Sequence, residues 1–374
     1  MSKCDYTEKT VYMGIDVHKK TLSCVAVCRG MKDKHARMPA CPNALIAYID
    51  NHFEGAYLKT AYEAGFSGFH LHCCLTDAGI DNIVVHPGAI AVVSRDRVKT
   101  DRRDATNIAK QLADGRLRPV FVPSEEAVAM REVSRLRKLT VRACTRAALQ
   151  FKALLFRHGL IAHTEDSTIS RAWVKAKLAE AKASKDIRRG LLYSMESLAN
   201  EWIHLKDKAK QIQKDAEAMQ SPEERALMDI YKSASGIGDI HALTLKDELG
   251  DMQRFANNKQ LYSYLGLTPT ENSSGERRYL GHISRQGRSI LRDIFIEAAW
   301  TAVRKDERLL EIYQDIAARR GKQRAIVGMA RRLAGHLRAC VRKGESYNSE
   351  YAYTARALSF ELAKAKAEAE TQAA

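Results

Sequence analysis

Val11-Tyr12-Met13-Gly14-Ile15-Asp16-Val17, followed by His18-Lys19-Lys20 and then Thr21 to Cys28, is the stretch on which the fold class turns. Both flanking runs are β-rich, and the three polar residues between them read as a tight turn joining a strand to its returning partner. Asp16 closes the first run. Downstream, Tyr57 to Glu63 makes a further strand that Gly65 stops, and a helix is expected over Gly68 to Ala78. Ile80 to Val85 has the pattern of a buried strand closed by His86-Pro87, and a helix follows from about Thr100 to Asp114, stopped by Gly115. Strands first, then strand alternating with helix, predict an α/β domain: a mixed sheet flanked by helices.

Four acids fall at telling places in that plan. Asp16 and Glu63 each end a strand, while Asp101 and Asp104 stand three apart and so share one helix face. A single acid near a helix start is explained as a cap or a complement to the helix dipole. That covers Asp101 alone but not a pair ringed by Arg95, Arg97, Arg102 and Arg103. Four converging carboxylates repel one another unless a cation neutralises them. Oxygen ligands favour a hard ion, Mg²⁺ or Mn²⁺, and two such ions about 4 Å apart suit displacement at phosphate. A sheet of this order with acids at these places resembles the ribonuclease-H-like fold in its RuvC-type form.

Charge points the same way. The 374 residues hold 61 Lys and Arg against 45 Asp and Glu, a net +16, which favours a polyanion, nucleic acid first, as partner. The excess is concentrated: Ile316 to Gly344 carries nine bases and no acid. The eight cysteines lack Cys-x-x-Cys spacing, so neither a zinc ribbon nor a disulfide framework is indicated. His70-x-His72-Cys73-Cys74 looks metal-like, but residues two apart on a helix point to different faces, which favours packing. With no signal peptide and no apolar run of about 18 residues, a cytoplasmic protein without membrane contact is expected.

From Pro123 helix formers dominate to about Met219. Leu191, Met195, Leu198, Trp202, Leu205, Ala209, Ile212, Ala216 and Met219 step alternately by four and three, a heptad seam. It suits either dimerisation or packing within the chain, and Val133, Leu136, Thr140, Ala143 and Ala147 offer a matching internal face. Pro222 breaks the run. Ser235-Gly236-Ile237-Gly238 then has the form of a helix-hairpin-helix turn, whose amides and following helix N-terminus can hold a phosphate. After a helix over Phe255 to Tyr264 comes Gly266-Leu267-Thr268-Pro269-Thr270-Glu271-Asn272-Ser273-Ser274-Gly275, a polar turn in which glycine beside serine can push a hydroxyl outward. Arg277, Arg278 and Arg285 follow it as candidate phosphate contacts, and Arg331 and Arg332 sit on a basic amphipathic helix within Arg319 to Lys343.

Taken in order, Gly14-Ile15-Asp16-Val17-His18, Tyr62-Glu63-Ala64 and Lys99-Thr100-Asp101-x-x-Asp104-Ala105 resemble the DEDD tetrad of the transposases of insertion-sequence family one-ten, which includes the Piv-type DNA invertases. Ser235 to Gly238, Gly266 to Pro269 with Ser274-Gly275, Ile283-Ser284-Arg285-x-Gly287 and Leu291-Arg292 resemble that family's second transposase domain. The resemblance runs from about Tyr12 to Lys343 and implies a DNA recombinase that joins a serine nucleophile to a strand while carboxylate-bound Mg²⁺ or Mn²⁺ steadies phosphoryl charge. The family's serine stands directly before glycine and five after proline, which carries over to Ser274 rather than Ser273. Also implied are donor and target DNA, a structured noncoding bridge RNA as guide, and a homodimer that assembles to a tetramer on DNA.

The expected organisation is a RuvC-like metal-binding domain over residues 1–123, a helical coiled-coil or dimerisation region over 124–222, a mainly α transposase domain with the serine over 223–348, and a tail over 349–374. Glu276, just after the glycine, departs from the commonest pattern by placing an acid near a phosphate-handling serine. Two other functions fit the residues: a RuvC-type nuclease or junction resolvase with water as attacker, and a non-catalytic nucleic-acid-binding protein.

Overall fold

The computed structural model describes residues 5–91, 100–162, 168–184, 186–274, 277 and 279–348. Arg95, Arg97, Lys99, Gly275, Glu276, Arg278 and the tail from Ser349 lie outside them. The chain divides into two compact units, Met1–Pro123 and Ser124–Ala374.

The first unit runs β1 (Thr10–Val17), β2 (Thr21–Val27), β3 (Lys34–Pro39), α1 (Pro42–His52), β4 (Tyr57–Glu63), α2 (His70–Asp77), β5 (Asp81–Val85) and α3 (Asp101–Ala113). The sheet order is β3-β2-β1-β4-β5, with β1 antiparallel to β2 and parallel to β4. Alternation along β1 decides what faces what. Val11, Met13 and Ile15 join Leu45, Ile49, Leu71 and Leu75 in a core with α1 and α2. Gly14 and Asp16 therefore face the other side, where α3 lies. A Cβ on Gly14 would overlap the Ala105 carbonyl and the Ala109 amide, so this glycine lets α3 lie directly on β1. On β4, Tyr62 enters the first core while Ala61 packs with Val85 and Ile108 beneath α3. Glu63 shares Ala61's face. β3 and α1 are additions to the sequence reading; β3 is an edge strand whose Lys34, His35 and Arg37 hide its period.

The second unit runs α4 (Glu125–Arg157), α5 (Arg171–Ala183), α6 (Arg189–Ala218), α7 (Pro222–Lys232), α8 (Asp239–Leu249), α9 (Asn258–Tyr264), β6 (Pro269–Glu271), β7 (Leu280–Ile283), α10 (Ser289–Lys305), α11 (Glu307–Arg320) and α12 (Lys322–Lys343). The heptad seam of α6 is filled from within the chain: Met195 and Trp202, with Leu191, Leu198 and Leu205 partly buried beside them, pack with Ala147, Phe151, Leu154 and Leu155 of α4. This favours the intramolecular alternative. It also corrects the partner face, because Leu136 points outward at 48 % exposure while Thr140 and Ala147 turn inward. Met219, expected at the seam's end, is 59 % exposed.

Elements on both sides of Pro222 are joined by buried polar contacts. Arg131 of α4 donates to the Asp247 carbonyl at 2.8 Å, and Ser134 donates to the Asp247 carboxylate. Arg135 reaches the buried Glu248 carboxylate at 3.1 Å. The basic C-terminal segment is two helices rather than one, since Gly321 at φ 82° interrupts it. α12 is a core helix: Ile326, Met329, Leu333 and Leu337 pack with Leu291, Phe295 and Leu243. α9 starts at Asn258 rather than Phe255 because the Asn257 side chain accepts the Gln260 amide at 3.0 Å and caps it. No described helix is long and apolar enough to cross a membrane.

Candidate active site

In the first unit, Asp16 stands at the end of β1 and Asp101 opens α3. Thr100 caps that helix, its hydroxyl accepting the Arg103 amide at 3.3 Å. Because α3 lies against Gly14, its first turn reaches the strand end that carries Asp16. His18 completes the group from the β1–β2 turn, where its amide donates to the Thr21 carbonyl at 2.9 Å. The ring Nε2 lies 3.1 Å from Asp16 Oδ2 and 3.2 Å from Asp101 Oδ1. One ligand atom each from Asp16, His18 and Asp101 falls within 4.8 Å of the others.

Asp104 lies one turn along α3 from Asp101. Asp16 is half-buried, and this desolvation raises its carboxyl above the usual range; Asp104 and Asp101 add to the rise, and His18 opposes it. Glu63 follows Tyr62, which pairs with Ile15, just as Asp16 follows Ile15; the two acids end neighbouring strands on one sheet face. Glu63 is exposed and stands outside the tight group of three.

His18 corrects the reading of that segment as a turn and no more. Asp16-Val17-His18 keeps the period of two past the strand end, which was the available signal. The donor set is accordingly oxygen with one imidazole nitrogen rather than oxygen alone, a set that suits Mn²⁺ and other borderline ions as well as Mg²⁺. Carboxylates from two elements meeting at one point fit a divalent cation: Asp16, Asp101 and His18 would hold it, and Asp104 is near enough to act on the Asp16 charge.

The second unit carries the serine stretch as a β-hairpin rather than a plain turn. Its base is a backbone crossing of two glycines. Gly266 has φ 67°, and a Cβ there would come 2.8 Å from the Gly287 amide; one on Gly287 would overlap the Tyr264 carbonyl. Ser284 N–H donates to the Thr268 carbonyl at 2.7 Å just above the crossing. Toward the tip, Ser274 and Arg277 exchange backbone hydrogen bonds at 3.2 and 3.3 Å.

The two serines differ sharply. Ser273 donates its hydroxyl to Glu271 at 3.0 Å and accepts the Tyr279 amide at 3.2 Å. The Ser274 hydroxyl is exposed and has no partner among the described residues. Arg277 and Arg285 are both exposed, and Arg285 is held at φ 55°, a left-handed conformation uncommon for a side-chain-bearing residue.

The remaining sequence candidates also have contacts within the second unit. Gly236, at φ 90°, meets α10 closely, since a Cβ would come 2.8 Å from Ala298 Cα and from its carbonyl. Gly238 caps α8, and Asp239 in the first turn forms a 2.7 Å ion pair with Lys232. Arg331 is half-buried with its guanidinium 4.7 Å from the Tyr262 ring centroid, and Arg332 is half-buried beside it.

Two family models match the chain. One for DEDD transposases of the IS110 type, described as "Transposase", covers residues 13–158. The other, "Transposase IS116/IS110/IS902 family", covers residues 228–314. Among similar proteins, the putative transposase y4qE of Sinorhizobium fredii is 30% identical over 92% of this chain and 91% of its own length. The probable family 20 transposase of Pseudomonas aeruginosa is 29% identical over 55% of this chain and 60% of its own. The transposase for insertion sequence element IS1111A of Coxiella burnetii is 24% identical over 67% of this chain and 68% of its own.

Proposed function

Because the chain belongs to the IS116/IS110/IS902 transposase family, we propose that it cuts and rejoins DNA through a covalent phosphoserine at Ser274. The carrying observation is the contrast along the hairpin: Ser273 is tied on both sides, whereas the Ser274 hydroxyl is exposed and has no partner among the described residues. In the forward step Ser274 Oγ attacks a DNA phosphorus. The serine proton is lost, the Oγ–P bond forms, the bond to the leaving deoxyribose oxygen breaks, and that oxygen takes a proton. Attack by the hydroxyl of another strand on the phosphoserine restores the serine and rejoins DNA. Arg277 and Arg285, both exposed on the hairpin, bind phosphate oxygens along the path.

The first unit is read as a ribonuclease-H-like domain of RuvC type. Asp16, Glu63, Asp101 and Asp104, with His18, hold a divalent cation, Mg²⁺ or Mn²⁺, that when bound offsets charge on the phosphoryl group. The 3.1 and 3.2 Å contacts of His18 Nε2 bring its ring together with Asp16 and Asp101 at that site. Donor and target DNA, a structured noncoding guide RNA, a dimer assembling to a tetramer on DNA and a cytoplasmic location are carried by the family resemblance and, for the nucleic acids, by the net charge of +16.

A second reading has its own support. The acid and histidine group assembles within the first unit without any residue of the hairpin, as a water-using metal nuclease requires. A nicked substrate that traps covalent intermediates separates the two. Phosphoserine chemistry predicts a denaturant-resistant protein–DNA adduct that Ser274→Ala abolishes and Ser273→Ala keeps. Full cleavage by Ser274→Ala, lost in Asp16→Asn, would establish the nuclease instead.

A further inference from the structure

The register of the serine hairpin puts four chemically distinct side chains on one face. Ser274 and Arg277 stand directly opposite, each backbone amide donating to the other's carbonyl. The Asn272 amide donates to the Tyr279 carbonyl at 3.0 Å, which makes Asn272 and Tyr279 the next pair of the same kind. Directly opposite residues of an antiparallel pair, and residues two apart on one strand, point to the same side. Asn272, Ser274, Arg277 and Tyr279 therefore share a face. Two contacts agree with this division. The Ser273 hydroxyl donates to Glu271, which puts those two on the other face, and a Cβ on Gly281 would overlap the Thr270 hydroxyl, as a same-side pair requires.

All four residues are exposed, Tyr279 at 59 %. Tyr279 lies diagonally from Ser274, a separation of about 7–8 Å between such positions. The sugar that joins a phosphate to its base spans a comparable distance. With the Ser274 hydroxyl at a phosphorus, Arg277 meets the phosphate oxygens, the Tyr279 ring meets the base, and the Asn272 amide offers a donor and an acceptor to the base edge. A protein partner suits this face poorly. A stable interface covers about 800 Å² per partner around an apolar centre, and a single ring bracketed by three polar side chains provides neither.

We propose that Tyr279 stacks on the base adjoining the phosphate that Ser274 attacks, once that base has left its own stack. A base within a duplex is covered on both faces, so the ring selects an unstacked position. Every base has a face to offer an aromatic ring, so this contact fixes where the strand lies and not which sequence it has. The inference rests on the reading of Ser274 as the nucleophile.

The test is the initial rate of covalent adduct formation on a nicked duplex, and on the same duplex with a mismatch at the pair beside the attacked phosphate. Tyr279→Ala is expected to slow adduct formation on the paired substrate about tenfold, and Tyr279→Phe, which keeps the ring, less than about threefold. Because a mismatched base leaves its stack more readily, the mismatch should bring Tyr279→Ala back to within about threefold of the parent. Tyr193→Ala, at a tyrosine 74 % exposed on α6, should match the parent on both substrates. An equal loss on both substrates, or Tyr279→Phe as slow as Tyr279→Ala, would overturn the proposal, as would a dimer that Tyr279→Ala dissociates in sedimentation. Adduct formation by Tyr279→Ala at the parent's rate would defeat this inference alone, whereas no adduct from the parent chain would defeat the serine reading and this inference together. Tyr279→Ser takes the place of Tyr279→Ala if the latter does not fold.

Discussion

Gly14 of β1 lies so close to Ala105 of α3 that a Cβ on the glycine would overlap the Ala105 carbonyl oxygen. That contact fixes the height of α3 above the sheet, and with it the approach of Asp101 to Asp16. A side chain at this position must push the helix away, and overpacking of this kind typically costs about 1–3 kcal/mol. Gly14→Val should therefore lower the melting temperature and abolish divalent-ion-dependent cleavage. Gly190, in the first turn of α6 with open space around it, is the contrast: Gly190→Ala should stabilise by about 0.5–1 kcal/mol. Thermal melts of both variants, with cleavage assays on the folded protein, check this.

His18 spans the two aspartates and belongs to neither strand nor helix. His18→Ala should leave the melting temperature within about 1 kcal/mol of equivalent stability, because the ring is largely exposed. It should raise the Mn²⁺ concentration giving half-maximal cleavage by about tenfold, the usual scale for a lost ligand or orienting group. Metal titrations of activity for His18→Ala and the parent chain measure the difference.

At the base of the hairpin, Gly287 can bear no side chain without displacing the Tyr264 carbonyl. Gly287→Ala should destabilise the second unit by about 1–3 kcal/mol and reduce covalent adduct formation well beyond the fall in folded fraction. Urea unfolding gives the first quantity and quantified adduct yield the second.

Burial pushes the His336 imidazole down to about 4, and Arg332 beside it adds to the effect. Between that value and the ordinary 6.5 the unfolded chain binds a proton that the folded chain does not, so stability is lost as pH falls through this window and recovers as pH rises. The loss attributable to this residue amounts to about 2–3 kcal/mol by pH 4. His336→Phe should flatten that part of the profile, leaving the carboxylate contributions in place. Urea denaturation at pH 7.5 and pH 5 on both proteins provides the comparison.

Much of the first unit could be read from the chain because its signals are local. β1, β2, β4 and β5 each carry a short β-rich stretch that is buried, such as Ala61-Tyr62 in β4 and Val84-Val85 in β5, and Thr100-Asp101 marks the start of α3. β3 could not be read, since an edge strand needs few apolar residues and Lys34-His35-Ala36-Arg37 shows none of the expected run. The role of His18 depends on where α3 lies, a tertiary fact set by Gly14. The α6 seam gave the helix and its buried face, but a heptad pattern does not say which chain supplies the partner. Arg331 and Arg332 looked like a cationic surface because periodicity cannot show that α12 is packed on several sides, with Tyr262 beneath Arg331. The difference between Ser273 and Ser274 arises from a hairpin register that adjacent serines do not reveal.

The most direct test of the central proposal is to digest the trapped protein–DNA adduct with protease and nuclease and locate the residual nucleotide by mass spectrometry. Attachment through the Ser274 side chain is the result expected. Attachment at Ser273 or at any other residue, or complete strand cleavage with no attached nucleotide, would contradict it.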